Sequence, residues 1–338
     1  MRRDDGESVE QSFRSLCHSG VMTDEPTPTS NSAAERAPIR RSRPVGATAN
    51  RRESIEQQQE AEAALPTLLR RIDHLYGLDA QGYFEREPLS TLAIDDAAIY
   101  PLQVSAAPHF AILSSIDHLR TIADIVRSGT LPMTAVGTLL RSALETSCSA
   151  IYFLAPPTRA DRVLRALRDE YFQIADAESM TADFDPGRTV NRAGKEEMLG
   201  RALQGYPAAG SWIDVTGGRP VSITAKIRFA CPVVESHSRR GRAEYAVRGL
   251  WRGLSGITHG RQYAALAILD REELGYDEST GVVQTHMTFG VRSLVGCLAI
   301  VLDVVETAQK LWGQRSRSFT NLPEDAELLA VLRADGRL

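Results

Sequence analysis

Apolar residues recur at helical spacing along most of the chain from about residue 60 onward. The first such stripe follows the pattern i, i+3, i+4, i+7 and consists of Leu65, Leu68, Leu69, Ile72 and Leu75. No strand pattern alternates with the helical segments, which argues against a doubly wound sheet. The chain is therefore predicted to be all-α and to fold as an antiparallel helical bundle.

Start and stop signals divide this bundle into segments. Pro132 stands in the first turn of one helix and Pro156-Pro157 ends it, after which Thr158 caps the next. A turn is predicted at Gly275, followed by a short extended segment through Val282. The predicted helices cover about 102–127, 130–155, 159–180, 192–203, 242–269, 287–312 and 323–333.

Composition predicts the domain organisation. Residues 1–60 are rich in Ser, Thr, Pro, Arg and Glu and have no apolar periodicity. Such a segment buries too little surface to offset its ordering entropy, so it is predicted to be a disordered tail. A bundle domain follows at 61–315, with a loop-rich insertion at about 181–240. A short C-terminal helix lies within 316–338.

Composition also limits the function. The 43% hydrophobic fraction is enough for a core, and the net charge of −4 excludes coating of nucleic acid by bulk attraction. The four cysteines stand singly and no HExxH is present, so we predict neither a metal nor another cofactor. The longest apolar run is Leu294 to Leu302, too short to span a membrane. A cytoplasmic location is predicted.

Basic residues are concentrated in one part of the chain. Eight stand between Lys226 and Arg261, against the two acids Glu235 and Glu244. This local charge of +6 is the pattern of a surface that binds RNA or another polyanion. A solvated basic face would give the same pattern.

Candidate site residues lie on the segment Tyr245 to Leu269 and on two earlier helices. Arg252 and His259 are about 10 Å apart along one helical stripe and can reach one phosphodiester. Arg141 and Glu145 are neighbours at i, i+4. The candidate catalytic residues are His259, Arg252 and Glu145, and the candidate binding residues are Arg141, Ser255, Tyr263 and His118.

Three segments carry a resemblance to known proteins: SSIDHLRTIADIV (114–126), LLRSALETSCSAIYFLAPPTRADRVLRAL (139–167) and YAVRGLWRGLSGITHG (245–260). They resemble a group of uncharacterised bacterial helical-bundle proteins with an Arg-x3-Glu helix and a late LS…H helix. More distantly, they resemble the HEPN superfamily. Many members of that superfamily are metal-independent ribonucleases with an Arg-x(4–6)-His motif.

The HEPN resemblance implies roles for two residues. His259 would act as general acid or base at the ribose 2′-hydroxyl, and Arg252 would stabilise charge on the phosphate. In the ribonuclease hypothesis, Glu145 is predicted to orient His259. One departure weighs against catalysis, because Gly253 stands where active members usually carry a polar residue.

Two functions remain open from the sequence. The first is a non-enzymatic RNA- or partner-binding module that uses the basic 226–261 surface. The alternative is a metal-independent endoribonuclease of the toxin or defence type. A third interpretation, a small-molecule pocket, rests only on Trp212, Trp251 and Tyr263.

A homodimer is predicted through apolar helices such as 287–312. For Arg141–Glu145 and His259, a purely structural role also remains open.

Overall fold

The computed structural model describes residues 53–185, 187–238 and 243–318. These ranges form a helical bundle with one two-stranded antiparallel sheet, which confirms the predicted all-α class. The helices are α1 (Ile55–Ala80), α2 (Thr91–Ala98), α3 (Ala106–Arg127), α4 (Ala135–Leu154), α5 (Arg159–Phe184), α6 (Arg192–Gly205), α7 (Trp212–Thr216), α8 (Ile223–His237), α9 (Ala243–Thr258), α10 (Gln262–Ile268) and α11 (Val291–Ser316). The strands are β1 (Asp270–Asp277) and β2 (Val282–Thr288).

Buried apolar side chains form two clusters. The larger cluster joins α1, α3, α4, α8, α9 and α11. Its middle is α11, which packs against α1 and α4 and also contacts α8 and α9. The smaller cluster joins α5, α6 and α7 to residues 99–104.

Helix α11 is buried because its apolar residues serve the core of its own chain. Leu298, Val301, Leu302 and Val305 are fully buried, and none of its large apolar side chains is exposed. The apolar side chains on which the prediction of a homodimer through 287–312 rested are therefore not available on the surface of the chain.

Trp312 sits near the end of α11 and is only 1% exposed. Its ring stacks on His109 of α3 at 5.1 Å between ring centroids, and the edge of Phe84 approaches it at 6.1 Å. Burial lowers the pKa of His109 below its usual value.

A buried ion pair joins α2 to α5. Asp95 is fully buried, and Arg162 holds both of its oxygens, with Nε–Oδ2 at 2.6 Å and Nη2–Oδ1 at 3.0 Å. Arg159 donates a third bond to Oδ1 at 2.8 Å. Arg162 also donates to the carbonyls of Pro156 and Pro157, so it fixes the turn between α4 and α5.

Several helix boundaries differ from the prediction. The tail boundary at residue 60 is too late, because Ser54 caps α1 from Ile55 through a capping box. Helix α4 begins at Ala135 rather than Thr130, since a residue before proline is disfavoured in helical conformation and Leu131 precedes Pro132. Residues 1–52 of the predicted tail and the predicted helix at 323–333 lie outside the described residues.

The predicted loop-rich insertion at 181–240 is largely helical in the described residues. Helices α6, α7 and α8 fall within it. Helix α8 belongs to the larger core, where Ile227, Ala230, Cys231 and Val234 are buried. The Gly and Pro content of the neighbouring loops concealed this contribution.

The segment predicted as one helix at 242–269 is two helices. Helix α9 ends at Thr258 and Gly260 has a positive φ of 64°, a conformation that glycine adopts at low cost. The chain then reverses into α10.

The predicted turn at Gly275 is a bulge within β1. The turn itself follows Asp277. Hydrogen bonds from Ser279 and Thr280 lower the pKa of the Asp277 carboxyl to about 2.

Candidate functional site

Helices α4 and α9 approach closely, and this contact builds the site. Gly137 of α4 faces Ile257 of α9, and a Cβ on the glycine would lie 3.2 Å from that side chain. Arg141 and Glu145 follow Gly137 by one and two turns on the same side of α4. This places them opposite the C-terminal half of α9.

A chain of polar contacts crosses the α4–α9 interface. Oε1 of Glu145 accepts hydrogen bonds from Arg141 Nε and from Trp251 Nε1, each at 2.8 Å. Arg141 Nη1 lies 3.3 Å from His259 Nε2. Because guanidinium groups carry only donors, a hydrogen bond across this contact requires an imidazole Nε2 that carries no proton.

The i, i+4 pairing of Arg141 with Glu145 is confirmed. No hydrogen bond joins Glu145 directly to His259 among the described residues, so the prediction that Glu145 orients His259 has no direct contact behind it. Arg141 lies between them, and Trp251 occupies the carboxylate oxygen instead. Trp251 was not among the residues predicted to form a hydrogen bond in the site. The signal was available, since a buried indole N–H generally finds an acceptor.

The outer side of α9 carries exposed residues on one helical stripe. Tyr245 is 75% exposed, and Arg252, seven residues later, is also exposed. Seven residues are about two turns, so these side chains lie on one face about 10 Å apart. His259 continues the stripe just beyond the end of α9 and is exposed rather than sealed in the core.

Tyr263 of α10 joins this stripe by packing over a glycine. Its hydroxyl would lie 3.1 Å from a Cβ on Gly256, yet the side chain as a whole is 66% exposed. Gly253 is also required by packing, since a Cβ there would lie 2.6 Å from Ile268 of α10. The glycine that departs from the nuclease pattern is thus explained by the close packing of α10 on α9.

The predicted basic surface is divided by the fold. Lys226 lies 3.5 Å from Asp169 of α5, and Arg248 pairs with Glu244. The exposed side chains of Arg228, Arg252 and Arg261 form no ion pair with any described residue. Arg239, Arg240 and Arg242 lie outside the described residues. Among the described residues, Arg252 on α9 and Arg261 at the start of α10 therefore keep guanidinium groups without a carboxylate partner.

Two predicted binding residues stand apart from the polar chain. Ser255 is half-buried and contributes its carbonyl, which accepts from the backbone N–H of His259 at 3.1 Å. His118 is half-buried on α3 and makes no hydrogen bond with any described residue. Neither side chain is joined to Arg141 or His259.

The three aromatic residues of the predicted small-molecule pocket are not gathered in one place. Trp212 meets the edge of Tyr171, at the smaller cluster, whereas Trp251 packs on the larger one. Tyr263 lies on the exposed face of α10. The structure thus gives no support to that pocket.

Within 53–185, 187–238 and 243–318, no group of three or more His, Cys, Asp or Glu side chains is placed to hold a metal ion. No helix in these ranges is both long and apolar enough to cross a membrane. Comparison with known protein families, with curated proteins and with solved structures gives no match. The fold and the site alone define the class: a helical bundle with one face that presents arginine and tyrosine side chains.

Proposed function

We propose that this chain is a non-enzymatic RNA-binding protein that binds single-stranded RNA on the outer face of α9 and α10. The observation that carries the proposal is a face with the exposed side chains of Tyr245, Arg252 and Tyr263, followed by the exposed Arg261 at the start of α10. Neither arginine has a carboxylate partner among the described residues. Arg252 and Arg261 would contact phosphates, which supply most of the affinity for a nucleic acid. Tyr245 and Tyr263 would stack on bases.

The polar chain behind this face supports the same proposal. Glu145 fixes Trp251, and Arg141 fixes the start of the turn that leads to α10. A surface held in place before binding loses less entropy when the ligand arrives. The proposal includes the HEPN-like resemblance, which is compatible with a non-enzymatic function because that superfamily includes bundles that are not nucleases. It also includes a cytoplasmic location.

Removing the charge of Arg252 is expected to weaken RNA binding. For Arg252→Gln we expect about fivefold lower affinity and a slope of log affinity against log salt that is less negative by about 0.7. For Tyr245→Ala we expect a loss of about 1–3 kcal/mol of binding free energy from one stacked base. Fluorescence anisotropy with a labelled single-stranded RNA, repeated at several salt concentrations, measures both effects.

Arg201→Gln is the matched control, because Arg201 is an exposed arginine on α6, outside the proposed face. It should bind RNA like the unaltered chain. Equal losses for Arg201→Gln and Arg252→Gln would show that binding is a bulk charge effect, and the proposed face would be rejected. Absence of RNA binding by the unaltered chain would reject RNA and leave a protein partner for the same face.

A metal-independent ribonuclease is the second candidate, favoured by the exposure of His259 and its contact with Arg141. His259 would exchange a proton with the ribose 2′-hydroxyl while Arg252 stabilises the phosphate. The test is incubation with total RNA in the presence of a chelator. His259→Ala is expected to cleave at least about 100-fold more slowly. Cleavage that persists unchanged in this variant would exclude the site, and absence of cleavage by the unaltered chain would exclude the activity.

A further inference from the structure

A pocket separate from the α9–α10 face opens where α4, α5 and α8 meet. It has a volume of about 40 Å³, and its polar and aromatic lining consists of Tyr152, Arg165, Arg168, Asp169, Phe172 and Lys226. This volume gives room for about three water molecules, or for one small ion of comparable size. No part of the proposed RNA-binding function uses these residues.

Positive charge exceeds negative charge among the lining residues. Arg165, Arg168 and Lys226 are opposed by the single carboxylate of Asp169, which leaves a net charge of +2. Asp169 lies 3.5 Å from Lys226, so its charge is directed to the lysine rather than to the arginines. A concave surface with this imbalance attracts anions.

Arg165 is a half-buried cation that forms no ion pair with the described residues, and the charge of Asp161 acts on it only from a longer distance. Its guanidinium lies 4.1 Å from the ring centroid of Tyr152 and 4.2 Å from that of Phe229. Its hydrogen bond goes to the carbonyl of Tyr152, and it forms no ion pair with a described carboxylate. Burial lowers the pKa of Arg165 below its usual value. An anion in the pocket would compensate this half-buried charge.

The other two cations of the lining, Arg168 and Lys226, are held in position by neighbouring groups. Arg168 donates to the backbone carbonyls of Asp214 and Arg219, and its guanidinium lies 5.6 Å from the Phe172 ring. The ammonium of Lys226 lies 5.0 Å from the ring centroid of Phe153. Carbonyls and a ring orient Arg168, whereas Lys226 is paired with Asp169, the one carboxylate among the lining residues. The cations are therefore preorganised around the pocket.

We propose that this pocket binds a phosphate group, either as inorganic phosphate or as the end of a phosphomonoester. Two arginines offer the planar sets of donors that match phosphate oxygens, and the lysine adds a compact charge. The pocket holds the phosphate itself, and the rings of Tyr152 and Phe172 flank its mouth, where the organic part of a monoester would lie. Binding here is independent of RNA binding at the α9–α10 face.

Titration calorimetry of the full chain at constant ionic strength tests this site, with inorganic phosphate and phenyl phosphate as separate probes. Lys226→Gln is expected to weaken binding of both probes at least about tenfold. Arg228→Gln removes an exposed charge two residues away on the same helix, outside the pocket, and should leave binding unchanged. Asp169→Asn removes the only carboxylate among the described lining residues and should tighten binding about three- to tenfold.

The last variant distinguishes a site from a structural role, because a merely damaged fold does not bind more tightly. Tighter binding of phenyl phosphate than of inorganic phosphate would identify a monoester as the ligand, and the reverse order would identify the free ion. The proposal is overturned if neither probe binds. Equal losses in Lys226→Gln and Arg228→Gln, or weaker binding in Asp169→Asn, would also overturn it. None of these outcomes depends on whether the chain binds RNA.

Discussion

Asp95→Asn is expected to lower the free energy of unfolding by about 3–5 kcal/mol. The substitution keeps the size of the side chain but removes the charge that Arg162 and Arg159 share. Arg162 is 2% exposed and would remain as a buried cation without a counter-ion. Urea denaturation followed by circular dichroism measures the loss.

Asp73→Asn is the matched control for this experiment. Asp73 also holds two arginines, Arg120 and Arg127, but all three side chains are at least a third exposed. Exposed ion pairs contribute about 0–1 kcal/mol, so this variant should lose little stability. Similar losses in the two variants would mean that burial of the Asp95 pair contributes nothing to the stability of the α2–α5 contact.

Trp312→Ala is the second substitution with a large expected effect. It removes a ring that is 1% exposed and stacks on His109. Truncation of a buried tryptophan costs about 3–5 kcal/mol, since it forfeits apolar burial and leaves a cavity. The same urea titration measures this loss.

Trp212→Ala provides the comparison, because Trp212 is 40% exposed and meets Tyr171 only at the ring edge. We expect it to lose less than half as much stability as Trp312→Ala. If the two variants unfold at the same urea concentration, the ring of Trp312 does not stabilise the core in the way the structure indicates.

Local patterns in the sequence predicted the fold class because helical periodicity is a property of neighbouring residues. Helix α2 was missed, since Asp95 and Asp96 interrupt a short apolar segment and look like a solvated turn. Their burial depends on partners elsewhere, such as Arg162, 67 residues later in the chain. Spacing within one segment carries no information about such a partner.

For the candidate site too, local contacts were predictable from the sequence and contacts between distant residues were not. The Arg141–Glu145 pair follows from i, i+4 spacing and is present. The contact of Arg141 with His259 joins residues 118 positions apart, and the packing of two helices decides it. The end of α9 was missed for a related reason. In the sequence, Gly253 and Gly256 look like ordinary positions inside one long helix. Only the structure shows that they are contact points for the separate helix α10.

The central position of α11 has a consequence for how the protein folds. Helices α1, α3 and α4 are synthesised well before α11, but their apolar faces meet in a cluster that α11 completes. Glu53, just before α1, also caps the start of α11 by accepting from the backbone N–H groups of Arg292 and Ser293. These contacts span about 240 residues, so the larger core cannot be completed before α11 has been added to the chain.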